Sequence, residues 1–235
     1  MRISFLSKST FFTTLVAGNL LGVGVLALPI KIGLSGFIPS IVVILLIWLI
    51  MLLGGFIIAD RIIGKSKHYN LPSFFSDQLG PIGHYISVIC NLIILYGVIT
   101  AYISGIAVVI TELYHITSYS PVIQLCYAAC MFALVLGGVK ILRSASFIIV
   151  SLVLLCFVVL IFSGMGHFSP HLLTKTHWSF FMIGMPVAIS AFHYQNIIPT
   201  VVHHLDHDRR MIRKVLLRGM LLGLLVNGIW LLIIL

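Results

Sequence analysis

Gly18-Asn-Leu-Leu-Gly-Val-Gly-Val-Leu-Ala-Leu-Pro29 lies inside an apolar stretch from Phe11 to Leu34 that is otherwise long enough to cross a membrane as a helix. Three glycines and an asparagine fall where such a helix would be deepest. Glycine is a poor helix residue with no side chain to shield its backbone, so Gly22 and Gly24 mark a place where the hydrogen-bond ladder can open. An opened backbone survives in lipid only if it is buried in protein or lines a polar cavity. The stretch therefore predicts a broken membrane helix whose freed groups face a substrate. The alternative is a helix-packing face of small residues, for which Gly18 and Gly22 have the right spacing.

The rest of the chain fits a membrane setting. Of its 235 residues 60% are apolar and only 8% charged, a balance that a soluble domain of this size would not tolerate and that implies an all-α integral membrane protein. The net charge of +9 does not indicate a nucleic-acid partner, because the basic residues sit in short gaps between apolar runs. Cys90, Cys126, Cys130 and Cys156 lie within apolar runs, where they are expected to behave as small buried hydrophobes without a disulfide framework or metal cluster. Arg2 and Lys8 ahead of an apolar run also suit a signal peptide, but the run is too long and no polar mature domain follows it.

Seven apolar segments can be read, at 11–34, 36–59, 83–113, 121–139, 146–166, 179–201 and 215–235. The third would span about 45 Å at about 1.5 Å per residue, which predicts strong tilt or projection from the bilayer. With the N-terminus in the cytoplasm, Arg2, Lys8, Arg61, Lys65, Lys67, Lys140, Arg143, Arg209, Arg210, Arg213, Lys214 and Arg218 all fall inside, and only Lys31 and Lys175 outside. This bias fixes the expected orientation and argues against a rhodopsin-type receptor. The outer loop with His167, His171 and His177 matches no specific metal site, and neither does His203-His204-Leu-Asp-His-Asp208. Leu71-Pro-Ser-Phe-Phe75, in the polar inner stretch from Asp60 to Gly80, suits the membrane interface. After Arg218 only about 25 Å of helix remains against a core of about 30 Å, which predicts a truncated product or deep insertion of the basic end.

The sixth segment holds a second interruption. Gly184-Met-Pro186 is followed by Ala188-Ile-Ser-Ala-Phe-His-Tyr-Gln-Asn196 and Pro199-Thr200, a polar patch bounded by prolines in the middle of an apolar span. Such a patch is costly and needs a use. This segment runs opposite to the first, and five segments precede it. Interruptions at the first and sixth positions are the expected mark of an inverted-repeat secondary transporter, with residues 1–178 as the first repeat and 179–235 as the start of the second.

These residues also carry a resemblance. Ala17 to Pro29 resembles the first-helix signature of the hydroxy and aromatic amino acid permeases, the bacterial tyrosine and tryptophan permeases among them, within the amino acid, polyamine and organocation superfamily. Phe192-His193, Ile198-Pro199 and the run Asp206 to Lys214 are similar to its sixth helix and following cytoplasmic loop. The chain departs from the family at Val23, where a small residue is usual, and at Tyr194 and Gln195, where a glycine follows the histidine. Members have about eleven helices, so seven would give one complete repeat and two helices of the next.

The resemblance implies a secondary active transporter that imports aromatic amino acids, tyrosine or tryptophan, across a bacterial inner membrane. It implies proton coupling, with sodium as the other coupling ion to test, and no cofactor. Asn19, Gly22, Val23, Gly24, Ser190, Phe192 and His193 are the expected substrate-binding residues. Free N–H groups near Gly22 to Val25 suit a carboxylate, and carbonyls near Val16 to Asn19 and Ala188 to Phe192 suit an ammonium group. Phe192, Tyr96 and Thr100 are candidates for the ring pocket, and Asn91 and Asn227 for interhelical hydrogen bonds. His193 is the candidate for proton coupling, against the reading of a neutral histidine bonded to a freed carbonyl. Rocking one bundle against another needs both bundles, so the chain alone is expected to insert but to transport poorly or not at all; whether a second polypeptide supplies the missing helices is left open by the sequence. The competing reading is a non-transporting seven-helix fragment or subunit. A membrane enzyme finds no support, for the segments contain no paired carboxylates, zinc-protease motif or activated nucleophile.

Overall fold

A computed structural model describes residues 5–164 and 176–234. His167, His171 and Lys175 lie outside the described residues, and so do the side-chain surroundings of Val23, Gly24, Lys31, Lys140 and Arg143. The described residues are helical without strands: α1 Phe5–Ile32, α2 Phe37–Ile62, α3 Leu71–Tyr114, α4 Ser120–Leu136, α5 Gly138–Gly164, α6 Phe181–Ala191, α7 Ile198–His204 and α8 Arg209–Ile234. Among them α2, α3 and α8 are long and apolar enough to cross a membrane.

Packing divides the chain into two units, Met1–Phe74 with Ile149–Leu235, and Phe75–Ile148. In the first unit α1 lies against α8 and α6, and α2 against the same two helices. The core runs through Val16, Leu20 and Ile32 of α1, Ile44 of α2, and Ile212, Leu216 and Met220 of α8, all buried. α8 approaches α1 closely because Gly219 and Gly223 present no side chain. A Cβ at Gly219 would stand 2.5 Å from Val16 Cβ, and one at Gly223 would stand 2.5 Å from Leu20 Cδ1. Residue numbers rise together along this seam, so α1 and α8 run parallel. The sixth segment runs the other way along α1. Gly184 meets Ile32, the His193 carbonyl meets Asn19, and the His204 ring meets Phe12.

The turn from α1 into α2 shows how a buried helix end is satisfied. Gly36 adopts φ 82°, a left-handed conformation that suits glycine, and reverses the chain. The Ser35 and Ser40 hydroxyls both donate to the Ile32 carbonyl, at 2.6 and 2.8 Å, meeting acceptors that a helix terminus leaves free. Trp48 of α2 donates its Nε1–H to the Met220 carbonyl at 2.9 Å, tying α2 to α8.

In the second unit the apolar side chains are largely outward. No residue of α4 is buried, and Leu125, Phe132 and Leu136 are exposed. Cys90, Cys126 and Cys130 here, like Cys156 of α5, are free and exposed, which corrects the expectation that they are buried. In a hydrocarbon solvent an apolar thiol needs no protein neighbour, so the apolar runs that contain these residues do not predict burial. α3 bends at Gly80, with φ 70°, just before Pro81, because proline disfavours helical geometry in the residue that precedes it.

One further expectation is corrected. α1 is helical from Phe5 to Ile32 without a break at Gly22 to Gly24. Each glycine costs about 1 kcal/mol relative to alanine, but opening the ladder in apolar surroundings would strand backbone groups at a larger cost. The last helix starts at Arg209, six residues before the apolar run. Asp208 Oδ1 accepts from the N–H groups of Arg210 and Met211 at 2.9 and 3.1 Å, a capping arrangement that sets the start. Its 26 residues give about 39 Å of helix, enough to span.

Candidate substrate site

The sixth segment is interrupted as its sequence predicts. α6 ends at Ala191, Phe192 to Tyr194 leave helical geometry, Gln195–Ile197 form a single 3₁₀ turn, and α7 begins at Ile198 with Pro199 in its first turn. Proline is well placed there because a first-turn N–H has no helical partner to lose.

The backbone freed by the break is taken up by side chains from several elements. Asn19 on α1 donates from Nδ2 to the His193 carbonyl at 2.9 Å, joining the two segments that the sequence singled out. Gln195 Oε1 accepts from the Tyr194 N–H at 3.0 Å while its Nε2 turns to the sulfur of Met51. The Tyr194 ring is fully buried, and its hydroxyl reaches the Met51 carbonyl at 3.5 Å. Gly55 makes room for that ring: a Cβ there would overlap the Tyr194 hydroxyl and come within 2.7 Å of Cζ. A tyrosine that departs from the family pattern is thus matched by a glycine on α2.

The expected site residues fall into distinct environments. Asn19 and Ser190 are exposed, and Ser190 donates its hydroxyl to the Pro186 carbonyl at 3.0 Å. His193 is half-buried, with Nε2 buried and lacking a hydrogen-bond partner. Phe192 exposes no surface, which makes it a packing residue in this conformation. Gly22 is half-buried within α1, and the helix continues through Val23 and Gly24, whose surroundings lie outside the described residues. Because α1 is closed there, the N–H groups near Gly22 to Val25 sit within a continuous helix, not at a free helix start, which corrects the expected carboxylate donors in this conformation. Tyr96 and Thr100 are exposed and belong to the second unit. Asn227 is buried and donates to the Gly223 carbonyl of its own helix at 2.9 Å, not to another helix. Asn91 is half-buried.

Polar groups gather at the far end of α7. Lys8 pairs with Asp206 at 3.4 Å, and Arg209 forks onto Asp60 at 2.9 and 2.8 Å, with Arg213 adding a contact to the same carboxylate. His207 Nδ1 accepts from the Gly64 N–H at 3.2 Å. These contacts absorb most of the His203 to Asp208 run. Asp206 and His207 both have positive φ, 53° and 59°, and their contacts hold this unfavourable loop in place. The Arg209 hydrogen bond, above all, keeps the Asp60 carboxyl below its ordinary value of 3.8; desolvation opposes it and Arg213 reinforces it. The Arg209 guanidinium is correspondingly raised by the hydrogen bond to Asp60.

The sequence missed three features that the structure brings out. Gly55 and Tyr194 lie 139 positions apart, and nothing local links them. Gly219-Met-Leu-Leu-Gly223 has the small-residue spacing of a close seam, the spacing that Gly18 and Gly22 share. Gly18 itself faces α5, where a Cβ would stand 2.5 Å from Val150 Cγ2. Asn196, with a buried and unpartnered Oδ1 at the break, is the third.

Comparison with known proteins adds a separate line of support. Residues 7–235 match the model of the tryptophan/tyrosine permease family. A tryptophan-specific transport protein of Pseudomonas aeruginosa is 22% identical over 226 residues, covering 92% of this chain and 54% of that protein. Tyrosine-specific transport system 1 of Haemophilus influenzae is 22% identical over 227 residues, covering 96% of this chain and 57% of the other. The chain thus spans about half the length of the curated relatives it matches. No solved structure matches.

Proposed function

The chain belongs to the tryptophan/tyrosine permease family, whose members are transport proteins and not enzymes, and we propose that it acts in secondary transport of tyrosine or tryptophan across a bacterial inner membrane. The observation that carries this reading is the break at Phe192 to Ile197, laced to α1 through Asn19 and the His193 carbonyl. A polar interruption inside an apolar segment provides what an amino acid needs, carbonyls for its ammonium group beside apolar surface for its ring.

In the proposed site Asn19, Ser190 and His193 supply polar contacts, Gly22 and Gly24 let the ligand approach the backbone closely, and Val23 and Phe192 shape the wall. Opening of α1 at Gly22 to Gly24 when substrate binds is the step that would present N–H groups to the carboxylate. His193 is the proposed proton carrier, since imidazole is the side chain whose unperturbed charge change falls nearest neutral pH and this one lies near the middle of a segment. Proton coupling, an inverted repeat divided near residue 178 and a cytoplasmic N-terminus complete the proposal. The gathering of Lys8, Arg209 and Arg213 around Asp206 and Asp60 supports that orientation, since it places basic residues of α1 and α8 at the same end of the first unit.

A second reading takes the chain as a membrane subunit that binds a second polypeptide and does not transport by itself. Reconstitution separates the two. Labelled tyrosine and tryptophan are offered to the chain in lipid nanodiscs for binding, and in proteoliposomes with an imposed proton gradient for uptake. Binding with gradient-driven uptake supports the transporter, binding without uptake supports the subunit, and no binding of either amino acid refutes the site.

A further inference from the structure

Among the described residues, five side-chain atoms are buried with no hydrogen-bond partner: Thr13 Oγ1, His193 Nε2, Asn196 Oδ1, His203 Nδ1 and Asn227 Oδ1. Two of the five, on His193 and Asn196, sit together at the break. Asn196 lies beside the His193 ring, yet neither buried atom has a hydrogen bond of good geometry. Buried polar atoms left unmet are unfavourable, and native structures normally satisfy them with protein, water or ligand.

The neighbouring polar groups are already committed. Gln195 is held by the Tyr194 N–H and Met51, Asn19 Nδ2 by the His193 carbonyl, and Ser190 by the Pro186 carbonyl. His193 and Asn196 are half-buried residues whose two unmet atoms are buried, while Asn19, which meets the His193 carbonyl, and Ser190 are exposed, so the break has both a wet edge and a buried polar end.

We infer that Asn196 and His193 form a receptor for the polar tip of the substrate ring, and that Asn196 sets the preference among aromatic amino acids. This rests on the proposed binding site at the break. A phenol hydroxyl donates to Asn196 Oδ1 and accepts from His193 Nε2–H, meeting both groups, and Nε2–H is a donor in the imidazolium as well as in one neutral tautomer. An indole N–H only donates and meets Asn196 alone. A phenyl ring meets neither, and a site built around a hydrogen bond rejects an analogue that lacks the partner. The order of affinity is therefore tyrosine, then tryptophan, then phenylalanine.

The test is competition against labelled tyrosine on the full chain in nanodiscs, using tyrosine, tryptophan, phenylalanine and 4-aminophenylalanine. Phenylalanine is expected to bind at least about tenfold more weakly than tyrosine, with 4-aminophenylalanine, which regains a donor, recovering most of the difference. In Asn196→Ala the gap between tyrosine and phenylalanine collapses through loss of tyrosine affinity, while phenylalanine is unchanged. If tyrosine binds but phenylalanine and 4-aminophenylalanine bind within twofold of it, the ring receptor is refuted and the site at the break survives. A folded Asn196→Ala that keeps the full gap also refutes the role of Asn196. If no aromatic amino acid binds, both the receptor and the site fall. The ligand series on the unaltered chain decides the matter even if Asn196→Ala does not fold.

Discussion

Replacing Gly55 by alanine adds one methyl group at the most confined point of the break. The new Cβ would overlap the Tyr194 hydroxyl, stand 2.7 Å from Cζ and 3.4 Å from Cε2. Ordinary contact lies near 3.5 Å, so the ring must retreat by more than 1 Å. It is fully buried, so it can retreat only against its neighbours. Overpacking of this kind costs about 1–3 kcal/mol, and it falls on the residue that anchors the break against α2. Tyr194→Phe removes the overlapping oxygen and one long hydrogen bond at 3.5 Å, but leaves Cζ at 2.7 Å. The phenylalanine variant should therefore relieve part of the strain, with an interaction energy of about 1 kcal/mol in a double-mutant cycle. The assay is unfolding of the four proteins in mixed micelles, followed by the fraction of native helix against denaturing detergent. If Gly55→Ala matches the unaltered chain in stability, or its cost is the same with Phe at 194, the close fit between Tyr194 and Gly55 is wrong.

Other outcomes follow from the same contacts. Gly219→Ala should destabilise more than Gly223→Ala in the same unfolding assay, because it meets the branched Cβ of Val16 and the Thr13 carbonyl at 3.2 Å, whereas Gly223→Ala first meets the flexible end of Leu20. Asn19→Ala strands the His193 carbonyl and should cost about 1–3 kcal/mol, with faster amide exchange at the break as the accompanying sign. Asp60 has a folded pKa below its unfolded value of 3.8, so its stabilisation is complete above pH 3.8 and is lost as pH falls through the lowered value. A pH titration of stability should show that loss in the unaltered chain and not in Asp60→Asn. Gly24→Leu should abolish tyrosine binding while leaving membrane insertion intact; normal binding by that variant would remove Gly24 from the site.

Much of the first unit was legible because bilayer physics writes it plainly. Composition alone demands helices, the prolines and polar cluster from Pro186 to Pro199 demand an interruption, and that interruption lies where the sequence puts it. Gly22 and Gly24 gave the same signal without the same result, since glycine permits a break without enforcing one. The start of α8 was hidden because Arg209 to Arg218 reads as loop by charge, while the helix is set by the Asp208 cap. Within the site, Asn19 and His193 stood out as polar residues in apolar runs, and the bond between them follows from antiparallel packing. The fit of Tyr194 to Gly55 depends on which faces of α2 and the break meet, which no local pattern carries.

The most direct test of the break as the substrate site is hydrogen exchange on the chain in nanodiscs, with and without saturating tyrosine. Slowed exchange at residues 192–197 and on α1 around Asn19 to Gly24, with α4 unchanged, is the expected result. Tyrosine bound with protection confined to other segments would contradict the assignment.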